Sequence, residues 1–122
     1  MKKKKVFKTI ATHMLTQNEV SEDDHNCLYR NGFGLSCAIG ILIDNDNYSE
    51  ELESHAIDNA AVSTAVSRSL GSPPLSARDR VFLGALQDIH DYSVGPPEWR
   101  KKLNDFSVSY FGKDLEDMGV SI

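Results

Sequence analysis

The chain of 122 residues has only two cysteines, four prolines and one tryptophan. Two cysteines cannot supply the several bridges on which small secreted scaffolds depend, so the fold must rest on an apolar core. A chain of this length buries roughly two thirds of its unfolded surface, which is enough for one such core. No apolar run approaches the ~18 residues that a membrane-spanning helix needs, so no membrane partner is expected. The basic start, MKKKKVFKTIATHML, lacks both the apolar stretch and the small-residue cleavage site of a secretory leader. These absences predict one domain over residues 1–122, cytoplasmic and with both thiols reduced. Residues 1–5 are expected to form a basic leader and residues 113–122 a mobile tail. There is no GxGxxG, Walker loop, HExxH or GxSxG, and no cofactor is expected.

Positive charge is missing from the middle of the chain. No Lys or Arg falls between Arg30 and Arg68, whereas Asp44, Asp46, Glu50, Glu51, Glu53 and Asp58 are acidic. The formal net charge is −5, and without Lys2, Lys3, Lys4 and Lys5 the remainder stands at −9. Such a body repels phosphate backbones, so no nucleic-acid partner is expected. The lysine run has no aromatic residue within it and reads as a solvated leader.

What is present is mainly helical periodicity. Phe7, Ile10, Ala11 and Met14 predict a helix over residues 4–17. Asn31-Gly32 between short runs predicts a β-hairpin, because a type I′ turn needs positive φ at both positions. Residues 37–43, CAIGILI, suit a short helix capped by Ser36; a buried strand fits the same residues. Ser49 followed by acids predicts another helix start. Asp58 is the expected cap of the helix that follows, whose inner face would be Ala61, Val62, Ala65, Val66 and Leu70. Ser76 and Asp79 form a capping box that opens a helix to about Tyr92, with Phe82, Ala85, Leu86 and Ile89 as its stripe. Pro97 is expected at the first position of the last helix, residues 97–111. There Trp99, Leu103, Phe106 and Tyr110 make one apolar face. The expected fold is mainly α, strictly α+β with one small hairpin: a bundle of about five helices.

The residues with chemical potential are few. In a two-residue hairpin turn, position 27 faces position 36, and alternation sends Cys37 to the opposite face from Cys27. A three-residue turn would instead oppose the two cysteines and permit a bridge. Their C-x9-C spacing matches no common zinc pattern, and His25 adds at most one ligand, so no metal is expected. Both cysteines are expected to be small buried hydrophobes. Asp44 and Asp46 imitate the start of a calcium loop, but Ser49 and His55 stand where that loop needs Gly and Glu. Gln87, His90 and Asp91 fall at i, i+3 and i+4, so Gln87 neighbours both. A His at a core edge is usually structural; a Cys–His pair would be the minimal nucleophile arrangement. Tyr29 and Arg30 suit a polar cluster, with Arg30 pairing a carboxylate. The candidate pocket is therefore Cys27, Tyr29, Arg30, Cys37, Gln87, His90 and Asp91, with no catalytic residue assigned.

Taken in order, several of these residues resemble a known group. They are Cys27-x-Tyr29-Arg30, Gly34-x-x-Cys37-Ala38-Ile39-Gly40-x-Leu42-Ile43, Tyr48, Leu86-Gln87-x-Ile89-His90-Asp91 and Trp99. The pattern is similar to that of small uncharacterised bacterial proteins found in phages, integron cassettes and other mobile elements. The likeness spans roughly residues 6–111 and is most specific in its central motif. Asp44 departs from it, standing where the group has proline. The resemblance implies a shared fold and a mobile-element accessory role, with no established activity.

Three functions compete. The first is a non-enzymatic accessory protein that binds itself as a homodimer, or another protein, through Ala61, Ala65, Trp99, Leu103, Phe106 or Tyr110. An apolar face left uncovered by so small a core usually marks an interaction site, and two-fold pairing is the commonest cover. The second is a small-molecule binder or enzyme using the Cys/His pocket. The third is an acidic DNA mimic that occupies a DNA-binding protein.

Overall fold

The computed structural model describes residues 1–22 and 27–120. Among them are four α-helices: α1 (Lys3–Gln17), α2 (Ala60–Leu70), α3 (Ala77–Tyr92) and α4 (Trp99–Phe111). The fold is broadly α, with four helices instead of about five and no sheet among the described residues. Of two isolated antiparallel bridges, Arg30 with Ser36 stands where the hairpin was expected, and Glu22 with Cys27 joins its first residue to the stretch before it.

The helices form where the apolar spacing and the caps lie. α1 buries Val6, Phe7, Ile10, Ala11 and Met14, and it ends at Asn18 in the left-handed conformation. Ser76 and Asp79 close the capping box at the start of α3 from both sides. The cap of α2 is Asn59, not Asp58: its Oδ1 accepts from the N–H of Ala61 and Val62. Asn59 immediately precedes the first helical residue, which gives its short side chain the required reach. The buried face of α3 is turned by about one residue from the expected stripe. Phe82, Leu83, Leu86 and His90 are buried, while Ala85 and Ile89 are only partly covered. Pro97 lies in a 3-10 turn, Pro96–Glu98, that leads into α4.

α1, α3 and α4 share one aromatic cluster. Phe7 stacks on Phe106 at 5.7 Å, Phe106 on Tyr110 at 5.5 Å, and Phe82 tilts against Tyr110 at 5.0 Å. Trp99 and Leu103 are fully buried beside it. Each such side chain contributes about 1.5–3 kcal/mol of burial free energy. The expected basic leader is part of α1, and Lys3 Nζ lies 5.8 Å from the Tyr110 ring centre. The expected mobile tail is packed as far as residue 120. Leu115 and Val120 are buried, and the Leu115 N–H donates to Asn104 Oδ1 at 2.9 Å.

Two expected helices are single 3-10 turns. In residues 37–43 the turn is Gly40–Leu42, and Ile43 is already extended. A Cβ on Gly40 would stand 2.1 Å from the Tyr29 carbonyl oxygen, so glycine here permits backbone-on-backbone contact. After Ser49 the turn is Glu50–Leu52, which ends where Ser54 takes φ 69°. Neither stretch is long enough to repay the cost of helix nucleation by itself.

Candidate ligand pocket

The described residues between Ser21 and Ile57 have little regular structure, so their backbone groups need partners elsewhere. Side chains of α1 and α3, and Glu53 within the segment itself, provide several of them. The Ser36 N–H donates to Gln17 Oε1 at 3.0 Å, and Gln17 Nε2 and His13 Nε2 both donate to the Ser36 carbonyl. Glu53 accepts the N–H groups of Tyr29 and Arg30 at 2.8 and 3.2 Å. From α3, Gln87 Oε1 accepts the Ile39 N–H at 2.9 Å and His90 Nε2 accepts the Ser21 N–H at 3.1 Å.

The Asn-Gly turn is not formed as expected. Five residues separate Arg30 from its bridge partner Ser36, and neither Asn31 nor Gly32 has positive φ. Asn31 Oδ1 instead accepts the N–H groups of Phe33 and Leu35, both at 2.9 Å. This register has a consequence for the cysteines. With 30 opposite 36, position 29 faces 37, and the Cys37 N–H donates to the Tyr29 carbonyl at 3.4 Å, which brings Tyr29 and Cys37 to one face. Cys27, Tyr29, Cys37 and Ile39 line one cavity of about 240 Å³, closed on the far side by Gln87 and Asp91 of α3 and by Ile57. The expectation of opposite faces assumed too short a turn.

Of the seven candidate pocket residues, five line this cavity: Cys27, Tyr29, Cys37, Gln87 and Asp91. His90 is buried behind them. Arg30 is on the opposite face, where it donates to the Ile43 carbonyl at 2.7 Å and to Asn45 Oδ1 at 2.8 Å, and stacks over Tyr48 at 4.4 Å. Its guanidinium therefore bonds a carbonyl and an amide instead of the expected carboxylate. Cys37 is buried, but Cys27 is exposed, contrary to expectation; both are free. Glu53 was not anticipated as a site residue. It sits within an acidic run, and no periodicity distinguishes it from its neighbours.

His90, Asp91 and Cys27 form the chemical centre. His90 Nδ1 lies 2.8 Å from Asp91 Oδ1, which also accepts from Gln87 Nε2 at 2.8 Å. The Ser21 N–H occupies the lone pair of Nε2, so the ring proton is on Nδ1 and donates to Asp91. Neither ring nitrogen is free to take a proton from Cys27. Although the residue is exposed overall, partial burial of its thiol, the Asp91 charge and the bond to Asp91 push Cys27 up to about 12. Burial also holds Cys37 at about 12, although the Gly40 N–H and the Gln87 amide oppose it. Burial first, then the charges of Cys37, Glu53 and Asp91, raises Tyr29, whose hydroxyl donates to the His55 carbonyl. The thiols are thus held protonated, the opposite of an activated nucleophile.

The ligand atoms of Cys27, His90 and Asp91 lie within 4.8 Å of one another, which invites a metal. The hydrogen bonds oppose it. A metal on Nδ1 would move the ring proton to Nε2, where it would meet the Ser21 N–H head on. Three donors would hold a tetrahedral zinc only with a water or other ligand in the fourth position. His25, the further ligand weighed from the sequence, lies outside the described residues.

The interface candidates fare differently. Trp99, Leu103 and Ala65 are buried within this chain, and Phe106 is partly buried against the core. Ala61 and Tyr110 remain exposed. No helix among the described residues is long and apolar enough to cross a membrane. The fold is a small helical one, and the cavity of about 240 Å³ has both polar and apolar walls. No protein-family model, curated protein or solved structure matches the chain.

Proposed function

We propose that this protein is a non-enzymatic binder of a small molecule, held in the cavity between the Cys27–Ile39 segment and α3. One observation carries the proposal: Cys27, Tyr29, Cys37, Gln87 and Asp91, from separated parts of the chain, converge on a single cavity. Its volume of about 240 Å³ falls below the ~300 Å³ at which drug-sized clefts begin, so the ligand is small. Protonated thiols and a fully bonded imidazole favour recognition over covalent chemistry. An accessory role in a mobile element is compatible with a binder of this kind. The test is an NMR screen of small neutral and charged fragments against ¹⁵N-labelled protein, with iodoacetamide kinetics on Cys27. Saturable shifts are expected at Ile39, Ile57, Gly84 and Gln87, and Cys27 should alkylate more slowly than free cysteine at neutral pH. Shifts absent from those residues would remove the pocket, and fast alkylation would restore a nucleophile.

A second reading is supported by Phe33, which is 90% exposed. Asn31 stiffens the turn that presents it, and a rigid aromatic anchor is typical of protein contacts. Partner binding through Phe33, to a second copy or to another protein, would be abolished by Phe33→Ser without loss of stability. Sedimentation of both chains at micromolar concentration checks the homodimer.

A further inference from the structure

We infer that the ligand is a small organic cation, a primary ammonium or guanidinium group on a short apolar stem; this rests on the pocket reading above. The carboxylates on the cavity wall are Glu53, Asp88 and Asp91, and no Lys or Arg lines it. Glu53 receives only uncharged donors, two backbone N–H groups and the Tyr48 hydroxyl at 2.7 Å. Asp91 receives the Gln87 amide and the His90 ring. Among the described residues, no Lys or Arg lies within ion-pair distance of these three acids, and Arg30 is turned to the other face. Their negative charge is therefore solvated or hydrogen-bonded, not neutralised.

The same carboxylates act across the wall: burial is the first cause that holds back ionisation of Cys27, Tyr29 and Cys37, and the charge of Asp91 adds to it at all three, with Glu53 as well at Tyr29. The remaining wall suits an apolar stem with a polar head. Ile39 and Ile57 are aliphatic, Tyr29 contributes an aromatic ring, and Tyr92 stands exposed at the rim. Cations are stabilised over such rings as well as by carboxylates. A divalent metal is the weaker candidate, because its imidazole ligand is already committed to Ser21 and Asp91.

The test uses the full chain and paired probes of equal shape. Butylammonium is compared with butanol, and butylguanidinium with butylurea, by ¹⁵N shifts at Ile39, Gly84 and Gln87. Each cation should bind about tenfold or more tightly than its neutral partner, since charge-assisted hydrogen bonds are roughly twice as strong as neutral ones. Asp88→Asn should narrow that gap several-fold. Asp88 is exposed on α3 and the change leaves the fold intact, as its unchanged amide spectrum would verify. Equal binding of cation and neutral partner would overturn the cation inference and leave the pocket standing. So would tighter binding of butyrate, or stoichiometric Zn²⁺ binding that Cys27→Ser abolishes. Failure of every probe to shift these residues would overturn both the inference and the pocket.

Discussion

The helical part of the molecule and the irregular part formed by the described residues between Ser21 and Ile57 are held by different forces. α1, α3 and α4 meet through Phe7, Phe82, Trp99, Leu103 and Phe106, where burial of apolar surface is the main term. The irregular segment also has a buried apolar side, with Ala38, Ile39 and Leu42, but its backbone is tied down by Gln17, Glu53, Gln87 and His90. Apolar burial is non-directional and tolerates repacking. Side-chain anchors are directional, and each one lost leaves a buried donor unpaired. A cavity with defined polar walls therefore lies beside the second region and not within the first.

Mutations can break this comparison. Trp99→Ala should have the largest effect, about 3–5 kcal/mol of global stability by urea denaturation, because the ring is fully buried and leaves a large void. A loss below about 1 kcal/mol would mean that the helices do not share one core. Gly40→Ala should come next, at about 1–3 kcal/mol or somewhat more, since backbone and not a flexible side chain must yield. Its damage should appear around Tyr29. Gln87→Leu should cost about 1–3 kcal/mol by orphaning the Ile39 N–H. Hydrogen exchange should then show protection lost in residues 27–57 while α1 and α4 stay protected. Uniform loss along the chain would erase the distinction between the two regions.

The smallest effect is that of pH. His13 joins the two regions through the Ser36 carbonyl, and its pKa is lowered, by burial first and then by His90, despite the bond to Ser36. The folded state thus binds a proton less readily than the unfolded one. The contribution of His13 is complete above the unfolded value of 6.5 and declines as pH falls below it. Stability should therefore decrease on acidification from pH 7 towards 5, and His13→Gln should flatten that slope. An unchanged slope in the variant would exclude His13 as its source.

Sequence by itself determined the helices whose apolar spacing and caps agree: residues 4–17, the Ser76–Asp79 box, and the final aromatic helix. Local rules suffice there, because an amphipathic stripe of helical period has one economical solution. It also marked Cys27, Tyr29, Cys37, Gln87 and Asp91 as candidate pocket residues. It did not determine how they meet, since that depends on a turn register. Asn31 could form a type I′ turn with Gly32, or use its side chain to hold a wider loop; both are locally sound. Tertiary structure decided in favour of the wider loop. Glu53, Gln17, Gln87 and His90, remote in sequence, hydrogen-bond the backbone in a register that a tight hairpin would not share. The tertiary structure likewise has single turns where two helices were expected, His90 within α3's buried face, and Arg30 turned towards Ile43 and Asn45. Periodicity reports which face of a helix is buried, but it carries no signal for a side chain that satisfies a distant backbone group.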